Sequence, residues 1–117
     1  MSLPSQEKAT LAAQIAVEKK ACHPVLLDLR DLTLITDFFL ICHGNSDVHV
    51  RAIADAMLEG FTEQGIRHIG MEGREDARWV LLDFGDLVVH VFLEEDRAYF
   101  DLERLWGDAP KTELASS

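Results

Sequence analysis

Residues 79–92 read Trp79-Val80-Leu81-Leu82-Asp83-Phe84-Gly85-Asp86-Leu87-Val88-Val89-His90-Val91-Phe92, and this stretch decides the sheet. Two apolar runs, Trp79–Leu82 and Leu87–Phe92, flank the turn Asp83-Phe84-Gly85-Asp86. Gly85 supplies the positive φ that a tight hairpin often demands. Asp83 and Asp86 suit a turn because Asp hydrogen-bonds nearby backbone. With Phe84 and Gly85 as a two-residue loop, Asp83 faces Asp86, Leu81 faces Val88 and Trp79 faces His90, all on one sheet face. Val80, Leu82, Leu87, Val89, Val91 and Leu93 lie on the other. The aliphatic face is expected to receive helices. The first face, with Trp79, His90 and Phe92, is amphipathic and predicts a patch covered by a partner or by the C-terminal segment. Phe84 is the odd residue. A turn tip is normally polar, so a ring there reads as an exposed anchor for a protein partner.

Outward from the hairpin, residues 5–20 predict a helix, with Ser5 as N-cap, Glu7 in the first turn and Leu11, Ala12, Ile15 and Ala16 at helical spacing. Pro24 blocks its continuation. Val25–Leu29 and Asp37–Cys42 read as strands. The second lacks polar alternation, as in a strand covered on both faces. Gly44-Asn45-Ser46 breaks it, Ser46 caps a second helix, and Val50, Ile53, Ala54, Met57, Leu58 and Phe61 form that helix's apolar stripe. Gly65 ends it. Ile66–Met71 is a short strand. After the hairpin, Leu102, Leu105 and Trp106 suggest one or two helical turns. The order is α-β-β-α-β-β-β-α. The fold class is α/β (α+β): one domain with a mixed sheet of about five strands and two main helices. Residues 1–108 form the domain, and 109–117 read as a flexible, frayed C-terminal tail.

A chain of 117 residues that is 48% hydrophobic can bury a core without staples. It carries 21 acidic and 11 basic residues, a formal net charge of −10. That field repels phosphate backbones and favours a basic protein partner over direct nucleic-acid binding. Cys22 and Cys42 lack Cys-x-x-Cys spacing and read as buried thiols of a reducing compartment. No secretion signal is visible, and no apolar run approaches the ~18 residues of a membrane span. A cytoplasmic location is expected.

Four stretches resemble the Iojap family, whose bacterial members are called ribosomal silencing factors. They are Val25–Arg30, Thr36–Ser46 (Thr-Asp-Phe-Phe-Leu-Ile-Cys-His-Gly-Asn-Ser), Trp79–Phe92 and the terminal Leu102-Glu103-Arg104-Leu105-Trp106. The resemblance spans about residues 5–108. Phe84 departs from it, since the family usually has tyrosine there. The resemblance implies a nucleotidyltransferase-like core and frequent homodimers. It also implies translation repression: docking on the fourteenth protein of the large ribosomal subunit, on the face that meets the small subunit, which blocks subunit joining. Taken with the hairpin, it makes Trp79, Asp83, Phe84, Asp86 and His90 the candidate partner-binding residues, with no cofactor and no metal.

The alternative reading is a metal-dependent nucleotidyltransferase. That chemistry needs a Gly-Ser turn for phosphates and an Asp-x-Asp pair, whose carboxylates point the same way on a strand and share metals. Gly44-Asn45-Ser46 imitates the turn. Ile66–Met71 contains no such pair, and Glu94-x-Asp96 has the spacing but falls in an acidic run at the end of the last strand. His90 could act as a base or ligand, beside Asp83 or Asp28, though a lone strand histidine is more often a packed residue with one hydrogen bond. Cys42, His43 and His49 could suggest zinc, but no second Cys/His pair completes a tetrahedral set.

Overall fold

The computed structural model describes residues 3–114. In chain order its elements are α1 (Ser5–Glu18), β1 (Cys22–Asp28), β2 (Phe38–Gly44), α2 (Asp47–Glu63), β3 (Gly70–Glu72), β4 (Trp79–Asp83), β5 (Leu87–Leu93), α3 (Glu94–Phe100), α4 (Leu102–Leu105) and β6 (Lys111–Glu113). They build one α+β domain around a mixed six-stranded sheet, ordered β3-β4-β5-β2-β1-β6. The central pair, β2 and β5, is parallel, and every other neighbouring pair is antiparallel. Both central strands are buried almost throughout. That is why their sequences are continuously apolar rather than alternating.

The hairpin register differs from the expected one by two residues. Trp79 pairs with Phe92, Leu81 with His90 and Asp83 with Val88. The Phe84 N–H donates to Leu87 O at 2.9 Å, so Gly85-Asp86 forms the two-residue loop. Gly85 takes φ +91° there, and Asp83 Oδ1 accepts from the Gly85 N–H at 2.8 Å. Because the pleat repeats every two residues, a two-residue shift leaves each side chain on its expected face. Val80, Leu82, Leu87, Val89 and Val91 do pack beneath α1 and α2, with Ala12, Ile15, Ile53, Met57 and Phe61.

Phe84 follows the same alternation, and this corrects the exposed tip. It points to the helix side, is only 3% exposed, and stacks on Phe61 with centroids 4.1 Å apart. Next to it the Lys8 ammonium of α1 reaches the turn, 2.8 Å from Asp86 Oδ1. Two contacts thus fasten the hairpin end to both helices.

Local signals act largely as expected. Ser46 Oγ accepts from the His49 N–H at 3.1 Å and caps α2. At the other end Gly65 (φ +74°) and Ile66 return hydrogen bonds to Thr62 O and Phe61 O. This is a Schellman closure, with Ile66 buried beside Phe61 in one cluster. Ser5 is not the N-cap. Pro4 occupies that position, and no side chain caps α1. β1 starts three residues earlier than expected, through a bulge at His23 (φ +45°) that accommodates Pro24. Within the expected tail, Lys111–Glu113 pairs with Leu27–Val25 as an edge strand, while residues 115–117 lie outside the described set. No helix among the described residues is long and apolar enough to cross a membrane.

Replacing Phe84 by alanine removes a large buried ring. The expected cost is about 3–5 kcal/mol. Urea unfolding followed by circular dichroism should show a much lower midpoint with an unchanged slope.

Candidate docking face

The sheet face opposite α1 and α2 is covered by short pieces only. Leu102, Trp106 and Ala109 pack over Val25, Leu27, Leu29, Ile41 and Phe92 in a second apolar cluster. Neither α3 nor α4 contains a buried residue. The C-terminal segment therefore covers the β1–β2 side, whereas β4 keeps Trp79, Leu81 and Asp83 half-exposed.

Trp79 is held in a fixed pose. Its ring lies 5.0 Å from Phe92 and 4.6 Å from Phe100, centroid to centroid, and its Nε1–H donates to His90 Nδ1 at 3.1 Å. With Nδ1 accepting, the neutral imidazole carries its proton on Nε2, which is buried with no hydrogen-bond partner among the described residues. Burial pushes the His90 pKa down to about 4. His90 is 3% exposed, packs edge-on against Phe39 at 4.5 Å, and bonds neither Asp28 nor Asp83. It is corrected from a contact residue to the support that aims the indole.

Arg97 fastens α3 to the sheet. Its guanidinium donates to Cys22 O at 3.2 Å, to His43 Nδ1 at 2.9 Å and to Glu103 Oε1 at 2.9 Å. The other His43 nitrogen faces Glu94 Oε2 at 3.4 Å. Burial, reinforced by the Arg97 charge, lowers the His43 pKa, so the ring stays a neutral acceptor for Arg97. Sequence reasoning did not single out Arg97. Nothing in its spacing announces a partner 54 residues away.

The same segment projects Tyr99 (81% exposed), Phe100 and Leu105 into solvent. Tyr99 is the most exposed of the three. Its exposure follows from the shortness of α3, whose single inward face is taken by Arg97 and half-buried Asp96. Together with Trp79 and Leu81, Tyr99 and Phe100 give the open face an aromatic, apolar character. Exposed Glu72, paired with Leu81 on β3, and half-exposed Asp83 edge it with acid. Asp86 is different: its carboxylate is already paired with Lys8.

The residues considered for catalysis are engaged separately. Ser46 caps α2. Glu94 and Asp96 lie on α3 rather than a strand, where Glu94 faces His43 and Asp96 pairs with Arg78 at 3.1 Å. His49 accepts from the Asn45 N–H at its Nδ1 and meets Lys19 O at its Nε2, which ties α2 to the end of α1. Cys42 is fully buried and its thiol is pushed up to about 12. Among the described residues no three His, Cys, Asp or Glu side chains gather as a metal site.

The arrangement is a small α+β domain whose half-covered sheet presents a supported indole. Comparison with known proteins gives its family. The family described as "Ribosomal silencing factor during starvation" matches residues 2–117, and the chain belongs to it. A ribosomal silencing factor from Halalkalibacterium halodurans is 52% identical over 112 residues, covering 96% of each chain. One from Bacillus subtilis is 49% identical over 104 residues, covering 89% of this chain and 88% of its own. A crystal structure of a Chromobacterium violaceum protein superposes with a TM-score of 0.88 at 35% identity, covering 98% of this chain and 95% of that one. The relatives' names describe regulators of ribosomes rather than enzymes.

Two expectations follow. The folded pKa values of His90 and His43 are lowered, so the unfolded chain binds more protons below its ordinary histidine pKa of about 6.5. Stability is then full above that pH and falls as pH drops toward 4. For His90 the loss between pH 6.5 and 5 is roughly 1–2 kcal/mol. Urea midpoints across this window should slope less steeply in His90→Leu than in the parent. Separately, Arg97→Ala should raise amide exchange in α3 and α4 while the α2 and β5 amides stay protected.

Proposed function

We propose that the protein represses translation by docking on a basic protein of the large ribosomal subunit and occupying the surface the small subunit needs. The fourteenth protein of that subunit, which the Iojap resemblance implies, is the intended partner. The observation that carries the reading is the half-covered sheet face: Trp79, Leu81, Tyr99 and Phe100 edged by Glu72 and Asp83 on a chain of net charge −10. Aromatic residues dominate the energetics of such contacts. The acidic rim speeds encounter with a basic partner and suppresses wrong partners, ribosomal RNA included. Inhibition needs only competition for space, with no cofactor and no reaction, and it takes place in the cytoplasm.

Sedimentation of purified subunits with and without the protein is the test. Joined ribosomes should decrease, and the protein should travel with the large subunit. Trp79→Ala is expected to weaken that binding by about 2 kcal/mol, near thirtyfold. Tyr99→Ser, at an exposed position that leaves the core intact, should weaken it in the same direction. Equal joining with and without the protein defeats the proposal. A second copy of the chain would cover the same face, so light scattering should show any homodimer dissociating as subunits are added.

A further inference from the structure

At the opposite end of β4 from Trp79, three loops converge. The β1–β2 connection, residues 29–37, is anchored at both ends. Leu29 N–H donates to Asp37 O at 2.8 Å, and the Asp37 and Phe38 N–H groups both donate to Asp86 O in the hairpin turn, at 3.0 and 3.1 Å. Inside the loop, Leu32 and Thr33 N–H groups return to Leu29 O, and the Ile35 N–H donates to Thr33 Oγ1 at 3.2 Å. Thr36 is turned inward and buried.

With its backbone so held, the loop projects Leu32, Leu34 and Ile35 outward. Leu34 is fully exposed and Ile35 is 85% exposed. On the far side of the turn stands exposed Ile69, whose N–H donates to Asp83 O and whose Cδ1 would touch a Cβ placed on Gly85 at 3.2 Å. β3 and β2 are three strand spacings apart in the sheet. The ridge is thus about 14 Å wide. Single exposed apolar residues are ordinary, but four on one hydrogen-bonded edge are not.

The charges beside the ridge indicate what fits it. Asp31 and Asp37 lie close enough to Arg30 to raise its pKa, yet the Arg30 guanidinium is committed to Asp28 at 2.6 Å. Asp86 is neutralised by Lys8. Asp31, Asp37 and Asp83 form no ion pair among the described residues, whereas exposed Arg67 stands two positions before Ile69 in the chain. The local balance is acidic, in keeping with the chain as a whole. Asp83 belongs to both this edge and the open face, so the two surfaces are continuous along β4.

We propose that Leu32, Leu34, Ile35 and Ile69 form a second docking surface, which inserts into an apolar cleft bordered by lysine or arginine on the large ribosomal subunit while the Trp79 face is engaged. This rests on the reading in the preceding subsection and extends it: one protein grips its target along the whole length of β4, at the sheet face and at the loop end.

The test uses the full-length chain carrying Leu34→Ser and Ile35→Ser together, at positions whose exposure leaves the core untouched. Circular dichroism and the urea midpoint should match the parent. Co-sedimentation with large subunits should weaken at least tenfold, with the salt dependence of binding unchanged. Asp31→Asn should give a smaller loss, with a shallower salt dependence. If the parent and the double variant bind equally while Tyr99→Ser is weakened, the ridge has no partner there and only this proposal falls. If light scattering shows the double variant losing self-association with subunit binding intact, the ridge meets a second copy and the proposal is likewise overturned. If the parent fails to sediment with subunits at all, both readings fall together.

Discussion

The structure depends on one pairing, the parallel ladder between β2 and β5. Parallel strands cannot be joined by a short turn, so the chain must cross over between them. Here the crossover contains α2, β3 and β4, which places the hairpin partner β4 outside β5 and the helix layer on one face. Both central strands are apolar on both faces, so the second face also requires a cover. Among the described residues that cover comes from 94–110, and it falls short of the whole face. The open strip along β4 is what remains.

That shortage explains how the surface is organised. A helix that buries no residue of its own has little hydrophobic reason to stay in place, and most helical stability in proteins comes from packing an apolar face. α3 is positioned by Arg97, which reads one carbonyl, one imidazole and one carboxylate at once. The arrangement works only while His43 is neutral, and its burial ensures this at ordinary pH. Phe100, placed by α3, then closes over Trp79, and His90 fixes the indole from beneath. On the proposed docking this support has a purpose, because a rigid aromatic loses little entropy when a partner covers it.

Much of this could be read from the residues. The alternation in 79–92 assigns every hairpin side chain to its face, and continued one step further it also places Phe84 indoors. Its position at a turn, where polar residues are the rule, masks that. The register slipped because Gly85 can serve as either member of a two-residue loop, and only tertiary contacts (the Phe61 stack and the Lys8 pair) select between them. Ser46 and Gly65 were legible since caps are local chemistry. β6 was not: Lys111-Thr112-Glu113 has no apolar pattern, and an edge strand needs only its backbone. Arg97 and the exposed Tyr99 were hidden for the same reason, since their roles are set by residues far away in the chain.

The Lys8–Asp86 pair bridges 78 positions of sequence. On a translating ribosome α1 emerges early and must wait for the hairpin before its ammonium finds a carboxylate, and the indole's supports at residues 90, 92 and 100 emerge later still. The nascent polypeptide therefore has no assembled support for the indole until residue 100 has left the exit tunnel. On the proposed docking, the factor becomes competent to bind only late in its own synthesis.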